Sequence, residues 1–421
     1  LCPQHKSHTV LSIIDVTNRC NMTCPICFAH AGAVNYVYEP SFDEIVEMLK
    51  NLRATSPWPP NAIQFSGGEP TLRDDLPDII REAKKLGFKH VEVNTNGLRL
   101  AEDIDYFKAL KDAGMNTVYL QFDGLRPEIY ARLRGRTDLV PIKLKVLENA
   151  RKIGLHSIVL VVTLAKGVND KDLGDIIRFA AKNRDVVRCV NIQPIAFAGR
   201  AKKEEMRKLR ITIPDTLILI EQQTDGAITR WDFRPVPSVV PVSRAVGLLK
   251  DKKYVEFTTS PFCGVATFLI KNKGGMWKPI TRLVDVDEFF NSMEEAASEA
   301  EKGHKTRALI KALGGLRHVK WGLLKDLIIP ILKTGSYEAL GKFMRRVVMI
   351  GCMHFMDVWN FDLKRMERCV IHYALPDGTI RPFCSYNSIH RVEVEKKFSI
   401  PYEEWVKNRG KQEVYTGIQS Q

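Results

Sequence analysis

Val10-Leu-Ser-Ile-Ile-Asp-Val-Thr17 runs into Cys20-Asn-Met-Thr-Cys24-Pro-Ile-Cys27, and this junction decides how the rest of the chain is read. The first segment is apolar and β-branched, the pattern of a buried strand. The second is a C-x3-C-x2-C triplet. Three thiolates within eight residues suit three corners of a cubic iron–sulfur cluster and leave its fourth iron without a protein ligand. An iron left open in this way can bind and reduce a small molecule. The competing reading is a zinc knuckle, but a structural zinc site is closed by four ligands, and here the fourth is missing.

Working outward, Ala62-Ile-Gln-Phe-Ser66 reads as a second strand and runs into Gly67-Gly68-Glu69-Pro70. Further strands are expected at 90–94, 117–122, 157–163 and 188–193. Helices are expected at 42–54, 75–86, 102–113, 141–153 and 170–182, with Ser41 or Asp43 as the first cap and Gly87 and Gly114 at helix ends. Strict β–α alternation implies a parallel sheet with right-handed crossovers. Such sheets gather ligand groups at the carboxyl ends of their strands. That rule nominates Asn94 with Thr95 and Asn96, Gln121, Asp123, Thr163 and Gln193, although polar residues at strand ends also serve as plain turn formers. Cys189, inside a strand, reads as a small core hydrophobe.

The triplet after strand one, paired with Gly-Gly-Glu-Pro after strand two, resembles the signature of the radical S-adenosylmethionine (SAM) superfamily. The resemblance implies an α/β fold, a partial (β/α)6 TIM-like barrel. It implies a 4Fe–4S cluster on the catalytic cysteines Cys20, Cys24 and Cys27, with SAM on the open iron. Gly67 and Gly68 would let the backbone approach the methionine end of SAM, and Glu69 would stand near its amino group. The ends of strands four to six, through Gln121, Asp123, Thr163 and Gln193, would hold ribose and adenine. Phe28 would pack on the adenine or join the core.

The chain has 421 residues and a net charge of +14, of which the stretch 302–350 supplies +9 (eleven Lys or Arg against Asp326 and Glu338). Its apolar runs fall short of the ~20 residues of a membrane span, and residues 1–10 lack the apolar core of a signal peptide. Leu1 is not an initiator Met, so upstream sequence is expected. Nine cysteines, an odd number that includes the triplet, argue for a reducing cytoplasm. After about residue 205 the alternation stops, which divides the chain into a core at 10–205 and an α+β region at 206–421. Pro235, Pro237 and Pro241 are expected to hold 234–243 as an extended linker. Cys263, Cys352, Cys369 and Cys384 contain no close pair. They are read as ligands of a second, auxiliary 4Fe–4S cluster, with His354 and His372 as substitute ligands or supporting partners, or else as unrelated buried thiols.

Arg368-Cys-Val-Ile-His-Tyr-Ala-Leu-Pro-Asp-Gly-Thr-Ile-Arg-Pro-Phe-Cys384, with Cys352-Met-His-Phe and Ile192-Gln-Pro-Ile-Ala-Phe-Ala-Gly-Arg200, resembles the archaeal tetraether lipid synthases, a family whose members were earlier labelled pterin-methylating enzymes. That resemblance makes residues 1–9, with Cys2-Pro-Gln-His5, the remnant of a cysteine-rich module. It implies carbon–carbon bond formation between the phytanyl chains of an isoprenoid diether lipid. It also implies an electron donor of ferredoxin or flavodoxin type, and peripheral binding at the inner face of the membrane through the basic and apolar stretch around Trp321–Leu332. A radical SAM methyltransferase acting on a pterin or another small ring is the alternative. A basic nucleic-acid-binding protein is disfavoured, because the aromatics form no stacking platform and Gly67–Pro70 would have no role.

Overall fold

The computed structural model describes residues 4–32, 34–271, 276–319, 329–330, 333–334 and 336–409. Six strands follow the sequence reading closely: β1 (Leu11–Thr17), β2 (Ala62–Gly67), β3 (His90–Thr95), β4 (Thr117–Gln121), β5 (Ile158–Leu164) and β6 (Val187–Pro194). Each pairs in parallel with its predecessor. The helices between them include Phe42–Arg53, whose Ser41 and Glu44 form a reciprocal capping box. Two helices escaped the sequence reading, Leu98–Glu102 and Pro127–Arg134. Both are short and follow directly on a strand-end loop.

The sheet does not stop at residue 205. Six further strands extend it among the described residues: β7 (Arg234–Pro235), β8 (Gly264–Lys271), β9 (Trp277–Pro279), β10 (Val347–Met353), β11 (Ile371–Ala374) and β12 (Ile380–Pro382). The order is β9-β8-β10-β6-β5-β4-β3-β2-β1-β11-β12, with β7 against β8. The C-terminal half thus lends one parallel strand to each side of the core, β10 beside β6 and β11 beside β1, and antiparallel strands beyond each. Among the described residues, no closed barrel is formed by strand pairing.

The expected linker at 234–243 is corrected. Arg234 and Pro235 pair with β8, and Val240–Leu249 is a helix with Pro241 in its first turn. Proline is at home there, because the first amides of a helix have no intrahelical acceptor to lose.

Strand alternation splits the sheet into two faces. Ile63, Phe65, Val91, Val93, Val118, Leu120, Leu160, Val162, Val190 and Ile192 are buried in one apolar core with the helices. The intervening residues look inward and are mostly polar: Gln64, Ser66, Glu92, Asn94, Tyr119, Gln121, Thr163, Asn191 and Gln193, with Val159, Val161 and Cys189 among them. Asn94, Tyr119, Gln121, Thr163 and Gln193 keep partial exposure in the middle of this sheet, so the concave face borders open space.

Candidate active site

The cysteine loop leaves the carboxyl end of β1 and is held at several points. Gly68 N–H donates to Thr17 O at 2.7 Å and Glu69 N–H to Arg19 O at 2.8 Å, which stitches the Gly-Gly-Glu-Pro turn to the start of the loop. Asn96 Nδ2 donates to Asn21 Oδ1 at 2.7 Å. Arg134 Nη1 donates to Ile26 O at 3.3 Å and Arg200 N–H to Cys27 O at 3.0 Å. Cys20, Cys24 and Cys27 are free and partly exposed. Burial pushes the thiols of Cys20 and Cys24 up; at Cys20 the neighbouring Glu69, Cys24 and Cys27 add to this, and at Cys24 the cation of Arg134 opposes it. Three mutually repelling soft donors beside an arginine fit a cationic iron–sulfur group, which would favour their thiolate forms.

The reason for the two glycines differs from expectation. A Cβ on Gly67 would fall 2.1 Å from Thr17 O, and one on Gly68 would fall 2.1 Å from Arg19 O; Gly67 also has φ of +135°. What demands glycine here is the close crossing of two chain segments. Glu69 is 1% exposed. Its carboxylate accepts from Thr71 N–H (3.1 Å), Thr71 Oγ1 (2.6 Å), Thr95 Oγ1 (2.7 Å) and Asn96 N–H (2.7 Å). It therefore ties the ends of β2 and β3 together.

At the next strand ends the predicted Gln121, Asp123 and Thr163 do come together, through a residue the sequence reading missed. Arg134 donates Nε to Asp123 Oδ2 at 2.7 Å, and Nη2 to Asp123 Oδ1 at 2.9 Å and to Thr163 Oγ1 at 2.8 Å. Gln121 Nε2 also donates to Asp123. Lys143, 0% exposed, donates to Asn96 O and, at 3.0 Å, to Gln121 Oε1. Burial pushes its amine down to about 7. Neither Arg134 nor Lys143 carried a signal, since each is one of many cations on amphipathic helices. Asn94 bonds Ser66 Oγ at 3.3 Å, and Gln193 Nε2 donates to Tyr119 Oη at 2.8 Å. Phe28 faces Phe383, with ring centroids 5.9 Å apart. Cys189 lies buried on the inward side of β6.

Of the four C-terminal cysteines, Cys263, Cys369 and Cys384 feel one another's charge. Cys352 is a correction. It shares strand parity with Val348 and Ile350, so it enters the apolar core between sheet and helices, near Thr216. His354 N–H donates to Cys263 O at 3.0 Å, and Met356 N–H reaches Cys384 Sγ at 3.3 Å. His5 bonds Cys369 O at 2.9 Å, and His372 Nδ1 lies 3.1 Å from Thr9 Oγ1. Cys2 lies outside the described residues.

The sequence profile of the radical SAM superfamily matches residues 14–180. The chain is 49% identical over 417 residues to the 7,8-dihydro-6-hydroxymethylpterin dimethyltransferase of Methanocaldococcus jannaschii, covering 96% of this chain and 82% of that one. It is 32% identical over 196 residues to the GTP 3′,8-cyclase of Limosilactobacillus fermentum, covering 46% of this chain and 57% of that one. Among solved structures it resembles the FeFe-hydrogenase maturase HydG from Carboxydothermus hydrogenoformans, with a TM-score of 0.40, 18% identity and 52% of each chain covered.

Proposed function

The chain belongs to the radical SAM superfamily, and from that premise we propose that it is a methyltransferase acting on a reduced pterin or a closely related small ring. The carrying observation is the 49% identity, across nearly the whole chain, to a protein named for that activity. The same finding corrects the expectation of a lipid-coupling enzyme with an isoprenoid diether substrate and a membrane-surface partner. The concave face supports the correction. Gln64, Glu92, Asn94, Tyr119, Asn191 and Gln193 line it, whereas phytanyl chains would need an apolar tunnel. Residues 321–328 and 331–332 of the basic, apolar stretch lie outside the described residues. Among the described ones, no helix is long and apolar enough to cross a membrane.

Membership brings a 4Fe–4S cluster and SAM as cofactors. When bound, they supply one-electron cleavage of a sulfonium carbon–sulfur bond. In this reading Cys20, Cys24 and Cys27 hold the cluster, and the Gly67–Glu69 turn, Asn96 and Arg134 keep their loop in one conformation before any ligand arrives. Gln121, Asp123 and Thr163, fixed by Arg134, form the polar shelf above the central strands where the nucleoside part would rest. Cys263, Cys369 and Cys384 are three ligands of an auxiliary cluster, and the boundary near residue 205 is a division of chemistry within one sheet. A ferredoxin- or flavodoxin-like donor and a reducing cytoplasm complete the reading; all eight described cysteines are free thiols.

The test is anaerobic incubation of reconstituted protein with SAM, a low-potential reductant and 7,8-dihydro-6-hydroxymethylpterin, followed by mass spectrometry. A mass gain of one or two methylene units on the pterin is expected. Formation of 5′-deoxyadenosine with the pterin unchanged overturns the substrate assignment.

A further inference from the structure

Among the described residues, Asp15, Glu69, Glu92 and Asp123 are buried carboxylates at the inner side or strand ends of this sheet; two of them are paired with arginines and a third is ringed by donors. Asp15 is paired with Arg391 at 2.6 Å and Asp123 with Arg134 at 2.7 Å. Glu69 takes hydrogen bonds from two backbone amides and two hydroxyls. Glu92 is the exception. It lies in the middle of β3 between Val91 and Val93, both of which face the helices, so its own side chain looks inward. It is 8% exposed. Its short contact among the described residues is with a neutral amide, Gln64 Nε2 donating to Oε1 at 2.6 Å; His90 Nε2 lies 3.6 Å from Oε2. Among the described residues no lysine or arginine forms an ion pair with it. Holding a carboxylate in a sheet interior on these terms is costly. A fold retains such a group where something else completes its hydrogen bonds.

The neighbouring strand presents the complementary group. Asn94 of β3 is in register with Tyr119 of β4, two residues further toward the carboxyl end than Glu92 with Thr117. Tyr119 Oη accepts from both Asn191 Nδ2 and Gln193 Nε2. With both lone pairs engaged, its phenolic proton is left to donate inward. Burial pushes the phenol up and keeps that proton in place. The concave face therefore sets a two-oxygen acceptor and a single donor side by side, above the open space that Asn94, Tyr119, Gln121 and Gln193 border.

We infer that Glu92, held by Gln64 and faced by Tyr119, reads the amino-pyrimidinone edge of the substrate ring. The inference rests on the pterin reading above and goes beyond it by naming the residues that recognise the ring. That edge carries an exocyclic amino group beside a ring N–H, two parallel donors that a carboxylate accepts as a pair, and then a carbonyl that takes the tyrosine proton. The pterin ring and the guanine of GTP, for which the two sets of relatives are named, share this edge. A ring with oxygen in place of the amino group would turn an acceptor toward the carboxylate and be rejected.

The experiment is anaerobic equilibrium binding to the reconstituted full chain. The probes are 7,8-dihydro-6-hydroxymethylpterin and the corresponding lumazine, in which oxygen replaces the 2-amino group. Wild type is expected to prefer the pterin by roughly 10- to 100-fold. In E92Q, checked for fold by its far-UV spectrum and melting temperature, the preference collapses because pterin affinity falls. Y119F weakens both rings alike, since both keep the carbonyl. Equal binding of the two rings by wild type, or an undiminished preference in E92Q, overturns the role of Glu92 and leaves the pterin reading standing. Binding of neither ring by wild type removes the pterin reading, and this inference with it.

Discussion

The two thiol-rich regions of the molecule are built in opposite ways. Cys20, Cys24 and Cys27 come from one loop, and its environment is assembled from local turns and neighbouring strand ends. Cys263, Cys369 and Cys384 come from three distant segments. Cys263 precedes β8 on one side of the sheet, whereas Cys369 and Cys384 flank β11 and β12 on the other. They lie within electrostatic reach of one another, and the contact of Met356 after β10 with Cys384 after β12 joins the two sides of the sheet. A contiguous site survives any global rearrangement that keeps its loop; a site of this second kind exists only when the whole sheet has formed and curled.

That contrast can be broken most directly at the triplet. C24A is expected to remove the SAM-binding cluster and abolish 5′-deoxyadenosine formation while the sheet still folds, as read by iron content, product analysis and circular dichroism. Next in size is R134M, which strips the paired cation from Asp123, a carboxylate with no exposure. It should lower unfolding free energy by about 3–5 kcal/mol in anaerobic denaturant titrations.

The distant trio offers a paired comparison. C369S should lose the iron of a second cluster. C352S should keep it and cost only about 1–3 kcal/mol, because it places a hydroxyl in the apolar core. Equal iron loss in both would reinstate Cys352 as a ligand.

A further effect concerns pH. Lys143 is pushed down to about 7 in the fold, from an ordinary value of 10.5. Above pH 7 the unfolded chain therefore binds the extra proton, and stability rises as pH climbs from about 7 toward 10.5. Its slope is at most about 1.4 kcal/mol per pH unit. K143M should flatten that rise in stability curves measured across the window.

Much of this was open to a reader of the chain. The six core strands declared themselves as short β-branched runs, and the triplet stood out by its spacing. The error at Cys352 had a visible remedy: Val348, Ile350 and Cys352 alternate with Met349 and Gly351, so one apolar face includes the cysteine. Proline at 241 misled because it reads as a breaker, whereas in a first helical turn it is neutral. The lipid reading followed a C-terminal resemblance and a basic stretch, neither of which reports the lining of the concave face. Glu92 was on view in His90-Val-Glu-Val-Asn94 as a polar residue between two valines, but nothing local said whether it met water, an arginine or neither.

The sequence by itself determined the parallel core, the cysteine loop and the turn that braces it, because each rests on residues close along the chain whose spacing and periodicity carry the information. Tertiary structure alone decided which thiols come near one another across the sheet, that Arg134 gathers Asp123 and Thr163, and that Glu92 pairs with no lysine or arginine among the described residues. Those outcomes depend on sheet order and curvature, which bring together side chains from separate segments and leave no periodic trace in the chain.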